Sequence, residues 1–362
     1  MNFNEKSQKY SAPFIQGPTQ KWMFNVESQM FSLNIDGFIF PVTVNNQEYH
    51  SSYVCSPYNA LVTYGQDELF KIKNYPLRLI LSGLMKALGG FLRVVHINQN
   101  VCINNFYLST NPYPDWNGKG AEEALKSLSV RYPHHAIMCR SLNEHTNKEL
   151  LEHLRQLDFF CVASRQVYIF DNKLCLFKQR NNTQNDRRAL AKGEFVLVTH
   201  EQISEQDYPV IVHLYNLLYL KKYSQHNPQF SEDLIAYWHT NKLLTFFGLR
   251  DKKGVLQGIM GIFDSETVIT APLVGYNTHL PNQCALYRML IYLVLDYTDK
   301  KGICLNLSSG ASGFKRLRGG QPFIEYSAVY TKHLPLYRRM AWRIIQGLLN
   351  SLFISILKRY QL

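Results

Sequence analysis

Along most of the chain, apolar and polar residues alternate in short runs, each closed by Gly, Pro, Asn or Asp. A period of two marks a strand with one buried face. It predicts strands at 22–26, 30–34 and 37–44, with turns at 34–37 and 45–46. The period then changes. Leu77, Ile80, Leu81, Leu84 and Leu88 recur at helical spacing, and Gly89 with Gly90 reads as the stop. Strand-like runs return at 93–98 and 102–107. A helix at 121–132, a strand at 135–140, an amphipathic helix at 147–157 and a strand or strand pair at 159–170 complete the first half.

The second half repeats the theme. A basic, helix-like segment at 178–193 precedes a strand at 195–199 and a long helix at 208–223. A helix at 231–240 follows. Ser231 is its predicted N-cap, and Glu232 and Asp233 sit at its positive end. A hairpin at 243–264 turns at 251–254. Then come a strand at 267–276, a helix at 284–298, and strands at 303–307 and 322–330. Strand, helix and strand between 267 and 307 form a βαβ-type unit.

The length, 362 residues, exceeds one ordinary core, so two domains are expected. The boundaries read as 21–172 and 173–334. A polar lead-in at 1–20, carrying Pro13 and Pro18, is expected to be loose. With 46% apolar and 18% charged residues, the chain is neither disordered nor fibrous. Its formal charge of +12 is uneven: from Lys301 onward, ten Lys and Arg face one acid, Glu325. Such a balance calls for an anionic partner, whether nucleic acid, membrane, acidic carrier protein or phosphorylated cosubstrate. The seven cysteines form no CxxC and read as reduced core thiols of a cytoplasmic protein. His134, His135, His145 and His153 share no helical face with a carboxylate, so no metal site is expected. Neither a signal-type nor a membrane-spanning apolar run is present.

The chemistry concentrates in ICLNLSSGASGFKRLRGG, residues 303–320. A buried strand runs into serines and glycines and then into Lys315, Arg316 and Arg318. That is a place to hold an anion or a developing negative charge. Taken with the basic segment QRNNTQNDRRALAKGEFVLV, the helix running into YLKKYSQHNPQFS and the hairpin that follows, this order resembles the FemABX-like branch of the GNAT acyltransferase superfamily. The resemblance implies an α/β protein of two GNAT-like domains in tandem, each a mixed, mainly antiparallel sheet flanked by helices. It implies N-acyl transfer to an amine acceptor. The donor would be an acyl thioester on coenzyme A or acyl carrier protein, used as a cosubstrate, with no tightly bound cofactor. An aminoacyl-tRNA donor is the alternative, and a non-catalytic binding protein on the same fold is another.

By the same resemblance, Phe314 and Lys315 match a Phe–Lys pair that is important in FemABX enzymes. Lys315 would reach into a cleft and neutralise charge on the donor or the oxyanion. Ser308, Tyr223 and His226 are the other catalytic candidates. Ser309, Arg316, Tyr276 and Asn277 are candidates for holding the donor. Arg180, Arg187 and Arg188 form a basic face that would suit a phosphate. The chain departs from the family at GYNTHLPNQCAL, 275–286, which lacks the glycine-rich turn of ordinary GNAT coenzyme A sites. The tail, 335–362, reads as a basic amphipathic helix. Leu336, Met340, Ile344, Leu348, Leu352 and Ile356 line one face, flanked by Trp342 and by basic residues at both ends. That face is expected to dock on the protein's own core or a second subunit, or to lie on an anionic membrane.

Overall fold

The computed structural model describes residues 1–69 and 74–353. The first half holds α1 (Phe3–Gln16), β1 (Gln29–Ile35), β2 (Phe38–Asn45), α2 (Tyr64–Glu68), α3 (Tyr75–Val94), β3 (Asn100–Ile103), α4 (Ala121–Arg131), β4 (Ala136–Leu142), α5 (Lys148–Gln156) and β5 (Phe160–Phe170). The second holds α6 (Asn181–Ala191), β6 (Val196–Val198), α7 (Tyr208–Asn216), α8 (Glu232–Thr240), β7 (Thr245–Arg250), β8 (Leu256–Asp264), β9 (Val268–Tyr276), α9 (Leu286–Lys301), β10 (Cys304–Asn306), α10 (Ser312–Leu317), β11 (Gln321–Tyr330) and α11 (Leu336–Leu348).

The strands make one mixed sheet in the order β1-β2-β3-β4-β11-β5-β10-β9-β8-β7-β6. Two pairs in it are parallel, β3 with β4 and β10 with β9. In each, the crossover contains a helix, as a parallel connection requires. The halves interlock. β11, the last strand of the second half, lies between β4 and β5 and runs antiparallel to both. β5 in turn is flanked by β11 and β10.

Several expectations need correction. The lead-in is a helix, not a loose segment. Asn2 and Glu5 form a reciprocal capping box at its start, and Phe3, Tyr10 and Phe14 are buried in the main core. Tyr10 packs against Phe106, Trp238 and Phe263, so α1 bridges the halves. Pro13 is tolerated because the Lys9 carbonyl, deprived of its helical donor, accepts from the Tyr237 hydroxyl at 2.8 Å. Residues 22–26 form turns rather than a strand, and 93–98 form the end of α3 and the turn after it. Gly89 does not stop α3. A Cβ there would come within 2.9 Å of the Tyr58 hydroxyl, so this glycine serves a close approach.

The tail also departs from expectation. The face that α11 buries carries Arg338, Ala341, Trp342 and Ile345. Leu336, Met340, Ile344 and Leu348, read as the docking stripe, are exposed. Arg338 is the reason for that rotation. It donates to the carbonyls of Val95, His96 and His134 and to Gln99, and these bonds fix the helix on the first half. Ile356 and the basic residues Lys358 and Arg359 at the end of the tail lie outside the described residues.

Candidate active site

The parallel pair β9–β10 sets up the site. Its register holds for three residues, ending at Asn306 opposite Thr270. Beyond that point the strands part. The chain after β10 stays with β5, where Tyr168 N donates to the Ser308 carbonyl at 3.1 Å and Leu307 N to the Tyr168 carbonyl at 3.0 Å. β9 instead continues alongside β8 as far as Tyr276. A gap therefore opens between 271–276 and 307–309, at the carboxyl ends of two parallel strands, where α/β sheets place their ligands. Among the described residues, no strand pairs with that edge of β9 beyond Thr270.

Four aromatic side chains come together here from separate elements: Tyr276 at the end of β9, Tyr287 in the first turn of α9, Phe314 on α10, and Tyr223 just after α7. The Tyr276 and Tyr287 ring centroids are 5.9 Å apart, and Tyr287 and Phe314 are 4.9 Å apart. Burial pushes the Tyr287 phenol well above its ordinary range, with Tyr223 and Tyr276 adding to the effect. Burial, with Tyr223 again, also raises Tyr276. These hydroxyls stay protonated at neutral pH and are proton donors. Gly275 lets β9 approach α7 closely. A Cβ there would lie 2.5 Å from Tyr215 N.

Lys315 does not reach into the gap. It is 3% exposed and lies under the 307–309 loop. Its amine donates to the carbonyls of Leu307 (2.7 Å), Ser308 (3.3 Å) and Ser309 (2.7 Å). Once the strands part, β9 no longer supports this stretch, and Lys315 supplies donors to its carbonyls. Burial, with a smaller push from Arg165, brings the amine down to about 7. The three carbonyls work against that shift. The 303–320 stretch is thus a pinned turn and a short helix rather than a flexible basic loop. Ser308 and Ser309 contribute carbonyls to the pin. Ser308 takes a positive φ of 58° and receives its own support from the Asn306 side chain. Arg316 places its guanidinium 5.8 Å from the Tyr168 ring.

Arg318 is tied down as well. Its guanidinium lies 3.4 Å from the Phe314 ring centroid and grips the fully buried Asp186 through Nε (2.5 Å) and Nη2 (3.0 Å). Arg288 donates to the same carboxylate at 2.7 Å. An Arg–Asp–Arg cluster therefore locks α6, α9 and α10 around Phe314. Asp186 was not foreseen. Its signal is that it is the one acid within 178–193.

Two foreseen residues sit apart from the tyrosines. The His226 carbonyl accepts from Ser52 Oγ at 2.8 Å and Tyr53 N at 3.1 Å, which places it on the seam with the first half. Burial lowers its imidazole, opposed by Asp67. Asn277 bonds the Gln257 side chain at 2.9 Å and shapes the loop after β9.

At the mouth, the first-turn amides of α9 at Leu286, Tyr287 and Arg288 have no partner within the helix. A cavity of about 260 Å³ adjoins this helix end, lined in part by Arg188, Lys192, Glu194 and Arg288. Of the basic face foreseen at 180–188, Arg188 lines this cavity. Elsewhere, His145, Asp171 and Cys304 bring ligand-type atoms within 4.8 Å of one another, from three separate stretches of chain. His145 is hydrogen-bonded to Asp171 at 3.0 Å, so a carboxylate does adjoin it. Burial, with Asp171, pushes the Cys304 thiol up to about 12. A cation there would have to displace both the hydrogen bond and the thiol proton.

The first half has a matching parallel pair but no matching gap. Past Ile103 and Cys139, the chain at 104–111 folds into the space, with Phe106, Tyr107 and Leu108 fully buried. Asn105 bonds Thr43 and the Val54 carbonyl, and Asn111 N bonds Ser141.

No protein-family model matches the chain, and no curated protein matches it. Solved structures do. The crystal structure of FemX is similar over 93% of this chain and 98% of its own, at 9% identity and a TM-score of 0.53. A conserved protein of unknown function from Bacteroides thetaiotaomicron VPI-5482 is similar over 90% and 97%, at 11% identity and a TM-score of 0.50. The chain has the fold of FemX. Within that fold, the second half carries the open gap and the first half carries the filled one.

Proposed function

We propose that the protein is an N-acyltransferase whose donor enters the gap between β9 and the 307–309 loop. The observation that supports this most is the parting of a parallel strand pair beside the Tyr276 and Tyr287 hydroxyls, both held protonated by burial. An extended donor chain would add to the free edge of β9 in the manner of a strand. In the reaction an amine nitrogen attacks the donor carbonyl. The new C–N bond forms as the C–S or C–O bond breaks, the amine gives up one proton, and the leaving group takes one. Tyr276 and Tyr287 are held in the form that supplies that proton, and Tyr223 lies beside them. Lys315 acts here as a positioning residue, because its amine fixes the loop that bounds the gap. Ser308 and Ser309 form that loop, and Phe314 and Asn277 shape its surroundings.

The α9 amides, with Arg188, Lys192 and Arg288, suit a phosphate on the donor in place of the missing glycine-rich turn. Coenzyme A, the phosphopantetheine arm of a carrier protein and the end of a tRNA all carry one. An acyl thioester is the leading donor. The aminoacyl-tRNA reading gains from the near end-to-end likeness to FemX. Purified protein should be incubated with radiolabelled acyl-CoA, acyl carrier protein or aminoacyl-tRNA and a mixture of amines. Label should pass to an amine from one donor, and Tyr287→Phe should slow it by roughly 10²-fold. Absence of transfer from all three, with a correctly folded protein, would leave the fold as a binding scaffold.

A further inference from the structure

The outer faces of α3 and α11 carry apolar side chains that the other described residues leave exposed. On α3, Ile80, Leu84 and Phe91 are exposed, and within this twenty-residue helix only Gly89 and Leu92 are buried. A helix of this apolar character is ordinarily covered. On α11, Met340, Ile344 and Leu348 are exposed at a spacing of four. The two helices share one cluster, in which Leu92 joins Trp342 and Ile345, and Arg338 of α11 bonds the Val95 carbonyl just past the end of α3. Packed against each other there, both helices turn apolar surface outward.

Charge says what covers it. Arg78, Lys86 and Arg93 stand on α3, Arg339 and Arg343 on α11, and neither helix carries an acid. The Arg339 side chain has no hydrogen-bond or ion-pair partner among the described residues, and the Arg343 guanidinium donates to Gln346 at 3.0 Å and lies 4.1 Å from the Phe160 ring centroid. Beside α11 runs a groove of about 430 Å³ lined by Phe160, Met340 and Ile344 and by Arg339 and Arg343; Lys332 also lines it but is paired with Asp158 at its edge. A second copy docked by the same face about a two-fold axis would set these arginines against each other. Nucleic acid would use the charge and leave the apolar stripe wet. An anionic bilayer meets both, taking the apolar residues below its headgroups and the arginines among them.

We infer that the α3–α11 face docks on an anionic lipid surface. The protein lies on the membrane rather than through it, since among the described residues no helix is long and apolar enough to cross one. α2, which precedes α3, holds Asp67, whose carboxylate accepts from Ser224 at 2.5 Å, one residue from Tyr223.

The test is flotation of the full-length chain with phosphatidylcholine vesicles and with mixed phosphatidylcholine–phosphatidylglycerol vesicles. This readout is independent of any transfer activity. Flotation should require the anionic lipid and weaken as salt is raised. Leu84→Glu and Ile344→Glu should each abolish it; these side chains are 61% and 51% exposed, so thermal melts should be unchanged. Arg339→Ala should lower partitioning by roughly five-fold, and it decides the matter alone if a glutamate variant fails to fold. No flotation with anionic vesicles overturns the inference, as does flotation that survives both glutamates. A dimer in solution that Ile344→Glu splits, without vesicle binding, assigns the face to a second copy instead.

Discussion

Replacing Lys315 by methionine keeps the bulk of the side chain and removes its three bonds to the 307–309 loop. Hydrogen bonds from a charged donor each contribute about 1.5–3 kcal/mol. Ser309 is exposed and its carbonyl regains water, and losing a buried charge offsets part of the rest. The Leu307 carbonyl, on a residue 8% exposed, is the group left without its donor. The net destabilisation is about 2–4 kcal/mol, or a fall in Tm of roughly 3–5 °C for a chain of this length. Because the loop bounds the gap, turnover should fall with it, by roughly 10²-fold. Differential scanning calorimetry and a transfer assay on the same preparation read both effects. The pH dependence adds a signature. The folded amine is held down at about 7 against 10.5 unfolded. From about pH 7 to 10.5 the unfolded chain therefore binds more protons, and stability rises with pH. That rise should be missing in Lys315→Met. A variant with wild-type Tm and the same pH slope would show that Lys315 does not pin the loop, and the argument built on the parted strands would fail there.

Asp186→Ala should destabilise by about 3–5 kcal/mol in urea titrations, since it leaves Arg318 and Arg288 facing an empty buried site. Wild-type stability would mean that the cluster does not hold α10. Tyr10→Ala should cost about 3–5 kcal/mol. Tyr10→Phe should cost nothing or stabilise, because the buried Tyr10 hydroxyl has no partner. If the alanine variant melts like wild type, α1 is not part of the core.

The second half was the more legible from sequence because its contacts are local. The alternation in 243–276 and the turn at 251–254 correspond to β7, β8 and β9, and Ser231 caps α8 by accepting from Leu234 N. What stayed hidden is long-range. α1 reads as polar because its apolar residues are few, yet Tyr10 meets Trp238 and Phe263, over two hundred residues away. No local pattern says that β11 inserts between β4 and β5. Tyr276 was legible as a candidate from its place at a strand end, and Phe314 from the Phe–Lys pair of the family it resembles. Tyr287 was not, since within α9 it looks like one apolar position among many. Lys315 was singled out by its motif, but a motif does not show that the amine turns inward to carbonyls.

The account rests on the gap beside β9 being where the donor lies. Amide hydrogen exchange of the whole protein, with and without a non-transferable acyl thioester or aminoacyl-nucleotide analogue at saturation, tests this most directly. Protection should appear at 271–276, at the start of α9 and at 307–315. Protection confined to 104–116, or to α3 and α11, with none at 271–276, would contradict it.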